Sequence, residues 1–240
     1  MAARRLAGIE VAFAGIGLPS AAAILALYTA APQLYLVFES GILGPRPTWL
    51  PRSVADEELA LTAQTIVSVP EVFTYWLAPD RIEMGVLGAA QVDRFGNINS
   101  TVIGAYARPG VRLPGAGGAP EIAGACQATM VVALHNARTF VEQVDFVTTV
   151  GHGAGPTDRA RIGLRGRGPT AVVTDLCVFE PDPVTAQLTL TTLHAGASVE
   201  MVRDATGWEV SVADGLKQSP APAGPELAAL RRLGHRDPAA

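Results

Sequence analysis

Apolar, β-rich runs alternate with alanine-rich or amphipathic runs through the first half of the chain, and this alternation predicts βαβ units. Ile9 to Ala14 reads as a strand, Gly15 to Ser20 as a turn, and Ala21 to Ala31 as a buried helix too short to span a bilayer. Leu34 to Phe38 is the next strand. Gln64 to Val69 is a third, followed by a helix opening at Pro70, where a missing N–H costs nothing. Ile82 to Val86 and Ala89 to Val92 are further strands, and the tight turn Asp93-Arg94-Phe95-Gly96-Asn97 leads into another at Ile98 to Ile103. Arg108 to Gly118 is a loop dense in glycine and proline, ahead of a helix over Ala119 to Ala125. Ala128 to Leu134 and Phe140 to Val147 are apolar, β-rich runs. Gly151 to Gly168 is a second long loop. Ala171 to Thr174, Leu176 to Phe179 and Leu188 to Leu193 follow, with a hairpin break at Asp182-Pro183. Helices from about Ser198 to Ala205 and from Pro225 to Leu233 close the chain, and the proline-rich stretch 218–225 is a mobile or extended linker. The pattern predicts one α/β domain over residues 1–240, with a largely parallel central sheet flanked by helices.

Composition narrows the class. Of the 240 residues, 49% are apolar, enough for a sizeable core, and only 17% are charged, which leaves much of the surface to be covered by something else. The formal net charge of −4 argues against nucleic acid or an anionic membrane as partner. Cys126 and Cys177 form no CxxC pair and read as reduced thiols. The opening residues have two arginines but no long apolar run and no cleavage site, so a cytoplasmic protein is expected. His135, His152, His194 and His235 lack ligand spacing, so no metal is expected, and there is no GxSxG.

Several residues could carry chemistry. Glu39 ends an apolar strand and precedes a glycine-bearing turn; a charge there is costly unless it is paired or has a task. It reads as a nucleophile or general base, or else as a cap or ion-pair member. Gly15-Ile16-Gly17 before a helix is half of a dinucleotide fingerprint, lacks the third glycine, and reads better as a tight strand–helix turn. Gly115-Ala116-Gly117-Gly118-Ala119 leaves backbone N–H groups unshielded before a helix, suiting an oxyanion or a phosphate, or is simply a flexible loop. Gln91, Asn97, Asn99 and Ser100 could hold a carbonyl or carboxylate, or could satisfy turn backbone. Arg159, Arg161, Arg165 and Arg167 read as a solvated loop, with phosphate contact as the sharper alternative.

Three motifs in order resemble one family: Phe38-Glu39-Ser40-Gly41 with Leu50-Pro51-Arg52-Ser53 after it, the run from Gly88 to Thr101, and Gly115 to Ala119. Together they resemble the β subunit of class I CoA-transferases, most closely the glutaconate CoA-transferase branch, from about Ala12 to Asp175 and more weakly beyond. The resemblance implies that Glu39 is the covalent nucleophile, that Gly117 and Gly118 supply oxyanion-hole amides, and that Gly115, Ala119, Gln91, Asn99 and Ser100 contact substrate or CoA. It implies an active enzyme that pairs this chain with a homologous α subunit. Coenzyme A is then a substrate, with no resident cofactor, and an acyl-CoA and a carboxylic acid, dicarboxylic or related, are the reactants. An acyl-CoA hydrolase or a decarboxylase on the same fold is the alternative. A third reading is a non-catalytic subunit that binds acyl-CoA.

Overall fold

Strand β1 (Val11–Ala14) is apolar at every position, and its burial on both faces demands neighbours on both edges. The computed structural model describes residues 1–234, which fall into two compact units: 1–88 with the chain from 221 onward, and 89–220.

In the first unit, β1 is followed by helix α1 (Leu18–Leu27), β2 (Tyr35–Val37), β3 (Ile42–Leu43), helix α2 (Glu57–Leu61) and β4 (Thr65–Ile66). Helix α3 (Val69–Glu71) then continues as a π-helical turn over Val72–Leu77, ahead of β5 (Met84–Leu87). The sheet order is β5-β1-β2-β3-β4, parallel through β5, β1 and β2 and antiparallel from β2 to β4. Ala12, Phe13, Leu36, Val37 and Val86 are fully buried in it. Helix α1 begins three residues before the expected Ala21, because Gly17 turns the chain at φ 85° and Pro19 fits the first helical turn. It stops four residues before Ala31; Pro32 disfavours helix at the residue before it, and the Ala31 N–H closes the end on the Ala26 carbonyl at 2.8 Å. Ser68 and Glu71 form a reciprocal capping box at α3.

The second unit runs β6 (Gln91–Val92), β7 (Ile98–Asn99), β8 (Val102–Ile103), β9 (Val111–Arg112), helix α4 (Ala119–Ala125) and β10 (Ala128–Val132). Helix α5 (Asp158–Arg161), β11 (Pro169–Val173), β12 (Cys177–Pro181), β13 (Leu188–Leu193), helix α6 (Val199–Asp204) and β14 (Ser211–Gln218) complete it. Its sheet order is β14-β13-β12-β11-β10: β10 and β11 are parallel, β12 and β13 form the expected hairpin, and β13-α6-β14 is a parallel crossover. The pairs β6–β7 and β8–β9 are separate two-stranded ribbons. Helix α7 (Gly224–Gly234) returns to the first unit, where Arg4 clasps Glu226 with both Nε and Nη2. The stretch between β14 and α7 is tied down, since Ser219 N–H donates to Leu193 and Arg4 Nη2 to the Ala221 carbonyl. The fold class is the α/β one expected, with helices flanking a sheet whose antiparallel members lie beside its parallel strands.

Three expectations fail locally. The strand expected over 98–103 breaks at Ser100-Thr101, where Asn99 Oδ1 accepts the Thr101 and Val102 N–H groups and diverts the backbone. The run 140–147 is no strand; Val141 N–H goes to the Val92 carbonyl and Asp145 N–H to the Gln91 side chain. Nor is the arginine loop uniformly solvated, because Arg159, on α5, is only 6% exposed. Its guanidinium donates to the carbonyls of Val150, Gly151, Ala123, Arg165 and Gly166, and burial lowers its pKa.

A second buried polar centre lies beyond β10. His135 stacks on Phe140 at 4.1 Å between centroids and tilts against Phe179, which packs on Trp208. The Thr206 hydroxyl donates to the Val202 carbonyl, so it accepts from His135 Nε2–H at 3.0 Å and fixes that tautomer. Nδ1 faces Thr174 Oγ1 and Cys177 Sγ. Burial lowers the His135 pKa to about 4 and raises that of Cys177 to about 12.

Two outcomes follow from these centres. Arg159→Ala orphans five carbonyls and should cost roughly 3 kcal/mol or more, a fall of roughly 6–12 °C in thermal midpoint; Arg159→Lys should recover little, since an ammonium cannot span those acceptors. For His135, the folded pKa lies below the unfolded value of 6.5, so the unfolded chain binds the proton first. Its contribution is intact above pH 6.5 and erodes toward pH 4 by about 1.4 kcal/mol per pH unit. Denaturant titrations across that window should show this slope, and His135→Gln should remove it.

Candidate active site

Glu39 sits on the connection between β2 and β3. Phe38 N–H donates to the Ile42 carbonyl at 3.0 Å and Gly41 N–H to the Phe38 carbonyl at 3.0 Å, leaving a three-residue loop of Glu39, Ser40 and Gly41. Gly41 closes it at φ 92°. A Cβ on Gly41 would lie 1.9 Å from the Val67 carbonyl oxygen, and Val67 N–H in turn donates to the Gly41 carbonyl. Backbone therefore meets backbone, and only glycine fits. Glu39 is half-buried at the loop's first position, and among the described residues no donor reaches its carboxylate. The adjacent Ser40 Oγ is buried and also lacks a partner among the described residues. The second part of this motif is structural: Leu50 N–H donates to the Leu233 carbonyl and Arg52 N–H to Asp56.

The other candidates lie in the second unit. Gln91 and Asn99 face each other across the β6–β7 ribbon. Asn99 Nδ2 donates to Gln91 Oε1 at 2.7 Å and to the Val102 carbonyl; Gln91 Nε2 donates to Asp145 Oδ2 at 3.1 Å. Both residues are buried and their polar atoms are taken up by this network. These amides also satisfy turn and loop backbone, accepting the Thr101, Val102 and Asp145 N–H groups.

The same holds for Asp93 and Asn97. Asp93 Oδ1 accepts from Phe95 and Asn97 N–H, and Oδ2 from Asn97 Nδ2; burial raises its pKa against those bonds. Asn97 Oδ1 then accepts Gly151 and Gly153 N–H.

Ser100 and the glycine loop are brought together. Gly115 N–H donates to the Ser100 carbonyl and Ser100 Oγ to the Gly115 carbonyl, both at 2.9 Å. Ser100 N–H is itself held by Thr148 Oγ1. Gly115 and Gly117 take φ of 103° and 49°, so the loop turns in a way other residues resist. Ala119 N–H is spent on Ala116, whereas the N–H groups of Gly117 and Gly118 have no acceptor among the described residues. The loop is thus held at its first glycine, and at its end two N–H groups are left without an acceptor among the described residues, one on exposed Gly117 and one on buried Gly118. Sequence reasoning missed Asp145 and Thr148, which secure Gln91 and Ser100; they lie in the run 140–147 expected as a strand and just after it, and no local pattern marks them.

Among the described residues no cluster of His, Cys, Asp and Glu could hold a metal ion, and no helix is long and apolar enough to cross a membrane. His235 lies outside the described residues.

Residues 2–205 match the family described as coenzyme A transferase. The chain is 52% identical over 239 residues to the B subunit of 3-oxoadipate CoA-transferase from Pseudomonas knackmussii, covering 100% of this chain and 92% of that one. It is 34% identical over 230 residues to the B subunit of glutaconate CoA-transferase from Acidaminococcus fermentans, covering 92% and 85%. The crystal structure of that organism's glutaconate coenzyme A-transferase superposes with a TM-score of 0.88 at 31% identity, over 96% of this chain and 90% of that one. On a match spanning most of its sequence and a fold shared almost end to end, the chain belongs to the coenzyme A transferase family.

Proposed function

We propose that this chain is the B-type subunit of a CoA-transferase and that Glu39 is its covalent nucleophile. The observation that carries the reading is the Glu39 loop: a carboxylate with no partner among the described residues, held at the first position of a hairpin turn that only glycine can close. The B-subunit relatives support a homologous α subunit as partner, and their names, 3-oxoadipate and glutaconate, support a dicarboxylic acid as substrate. CoA enters and leaves as a substrate, and no resident cofactor takes part. Cys126 and Cys177, buried and not joined in a disulfide, support a reducing compartment such as the cytoplasm.

The reaction runs in balanced steps. An ionised Glu39 oxygen attacks the thioester carbonyl and the resulting oxyanion collapses, breaking the C–S bond and releasing CoA thiolate. The thiolate attacks the glutamyl carbonyl of the anhydride, forming a glutamyl-CoA thioester and freeing the first acid as its carboxylate. A second carboxylate then takes CoA by the same steps in reverse. The thioester's energy is kept in the enzyme, and the kinetics are ping-pong. We assign the oxyanion to the Gly117 and Gly118 N–H groups; one such donor is worth about 3–4 kcal/mol. Gly115 and Ala119 border the acyl-CoA on the same loop. In this reading Gln91, Asn99 and Ser100 act by positioning that loop and its neighbours, consistent with their internal bonds.

Glu39→Gln preserves size and removes the nucleophilic charge. Transfer by the assembled enzyme should fall by at least about 10³-fold with thermal stability unchanged. Wild-type enzyme incubated with acyl-CoA should carry a CoA adduct at Glu39, seen by intact mass, and borohydride should reduce that thioester to the alcohol with release of CoA. Thioester loss without an acceptor acid and without an adduct would instead establish hydrolysis, and CO2 release with the thioester kept would establish decarboxylation. Gly41→Ala, which leaves the carboxylate in place but forces the loop off Val67, should lower kcat by more than about tenfold while acyl-CoA still binds.

A further inference from the structure

Serine hydroxyls on turns usually find a backbone partner within a few residues. The serines of this chain follow that rule. Ser20 donates to the Gly17 carbonyl and Ser100 to the Gly115 carbonyl, while Ser53, Ser68 and Ser198 accept the N–H groups of Ala55, Glu71 and Met201. Ser219 pairs with His194, and Ser211 is exposed to water. Ser40 is the exception: its Oγ is buried and has no partner among the described residues. A hydroxyl placed so gives up its bonds to water and gains none in return. For the fold alone, alanine would be the cheaper residue at this position.

The preceding residue is its complement. Glu39 is acceptor-only when ionised, and among the described residues no donor reaches its carboxylate. A donor without an acceptor thus stands beside an acceptor without a donor, on consecutive Cα atoms about 3.8 Å apart. The bonds of Phe38, Gly41 and Val67 pin the loop backbone, so side-chain torsions are what remain to bring the two groups together. Hydrogen bonds of this kind are often open in a resting site and close only in the reacting complex. The chemistry asks for one. The Glu39 oxygen that attacks the acyl carbon becomes the bridging oxygen of the anhydride, and the other oxygen becomes the glutamyl carbonyl. When CoA thiolate adds to that carbonyl, this second oxygen takes the negative charge, and the bond from the glutamyl carbon to the bridging oxygen then breaks. The Gly117 and Gly118 N–H groups are assigned to the oxyanion on the acyl carbon, so the one on the glutamyl carbon needs a donor of its own.

We propose that the Ser40 hydroxyl donates to the non-attacking oxygen of Glu39, aiming the nucleophile and then stabilising the oxyanion that forms at its own carboxyl carbon. The inference rests on the reading of Glu39 as nucleophile. Its test compares wild type, Ser40→Ala and Ser40→Thr, each assembled with the partner subunit. Ser40→Ala should lower kcat about 100-fold, the effect of one lost oxyanion donor, with KM for acyl-CoA within about threefold. Rapid-quench mass spectrometry should show the CoA adduct at Glu39 forming more slowly by a similar factor. The thermal midpoint of Ser40→Ala should meanwhile rise by about 2–4 °C, because a buried unpaired hydroxyl is removed. Ser40→Thr keeps the hydroxyl and should recover at least about tenfold of the lost turnover. Opposite signs for activity and stability separate this role from a structural one. Turnover by Ser40→Ala within about twofold of wild type overturns the inference. So does a joint fall in turnover and thermal midpoint, which would make the hydroxyl a part of the fold. A wild-type enzyme that forms no adduct overturns the Glu39 reading and this one together; an adduct formed at the same rate by wild type and Ser40→Ala overturns this one alone.

Discussion

The approach of Gly41 to the Val67 carbonyl is the constraint on which the Glu39 loop depends. A hairpin with a three-residue loop needs its last loop residue in the left-handed region, which any glycine could meet. Here a second demand is added, because the backbone just after β4 lies against the turn and leaves no room for a side-chain carbon. The Val67 N–H to Gly41 carbonyl bond joins the turn to that neighbouring backbone. Glu39 is therefore carried by a loop whose backbone has few alternatives, so the position of its carboxylate is set before anything binds.

Order in the second unit comes from buried polar groups. Arg159 gathers carbonyls from the 150–151 and 165–166 segments and from α4, residues that belong to no common strand or helix. Asp93 and Asn97 tie the β6–β7 turn to the 151–153 segment, and Gln91, Asn99 and Asp145 tie the ribbon itself to the loop beyond Phe140. Loops of this length bury backbone groups that no ladder satisfies, so side chains must do it. The glycine loop inherits its position from this arrangement through Ser100 and Thr148.

Much of this was legible in the chain. Strands β1, β2, β5 and β10 to β13 are continuous apolar or alternating runs, and their periodicity marked them. Glu39 stood out because a charge ended such a run, and the glycine loop because three glycines preceded a helix. Strand β14 was missed because Ser211, Asp214, Gly215 and Lys217 give it no apolar stripe; its place comes from pairing with β13, a long-range fact. Helix α2 is five residues long and rests on its Asp56 cap. The role of Arg159 was invisible for a similar reason: its five acceptors are backbone atoms, and a carbonyl has no letter in the sequence.

The β2–β3 and β6–β7 hairpins show how one backbone device serves two ends. In both, the third loop residue is a glycine at positive φ whose N–H returns to the residue before the loop. In the second hairpin the carboxylate belongs to that preceding residue, and Asp93 is short enough to fold back onto the turn's own N–H groups; its oxygens are consumed and it is buried. In the first, that position is Phe38, which fills the core, and the carboxylate moves one residue outward onto a longer side chain. Glu39 then has no turn N–H as partner, and among the described residues no donor reaches its carboxylate. A one-residue shift and one added methylene separate a structural acid from an available one. A motif that names only the residue type misses the distinction, whereas the order Phe-Glu-Ser-Gly carries it.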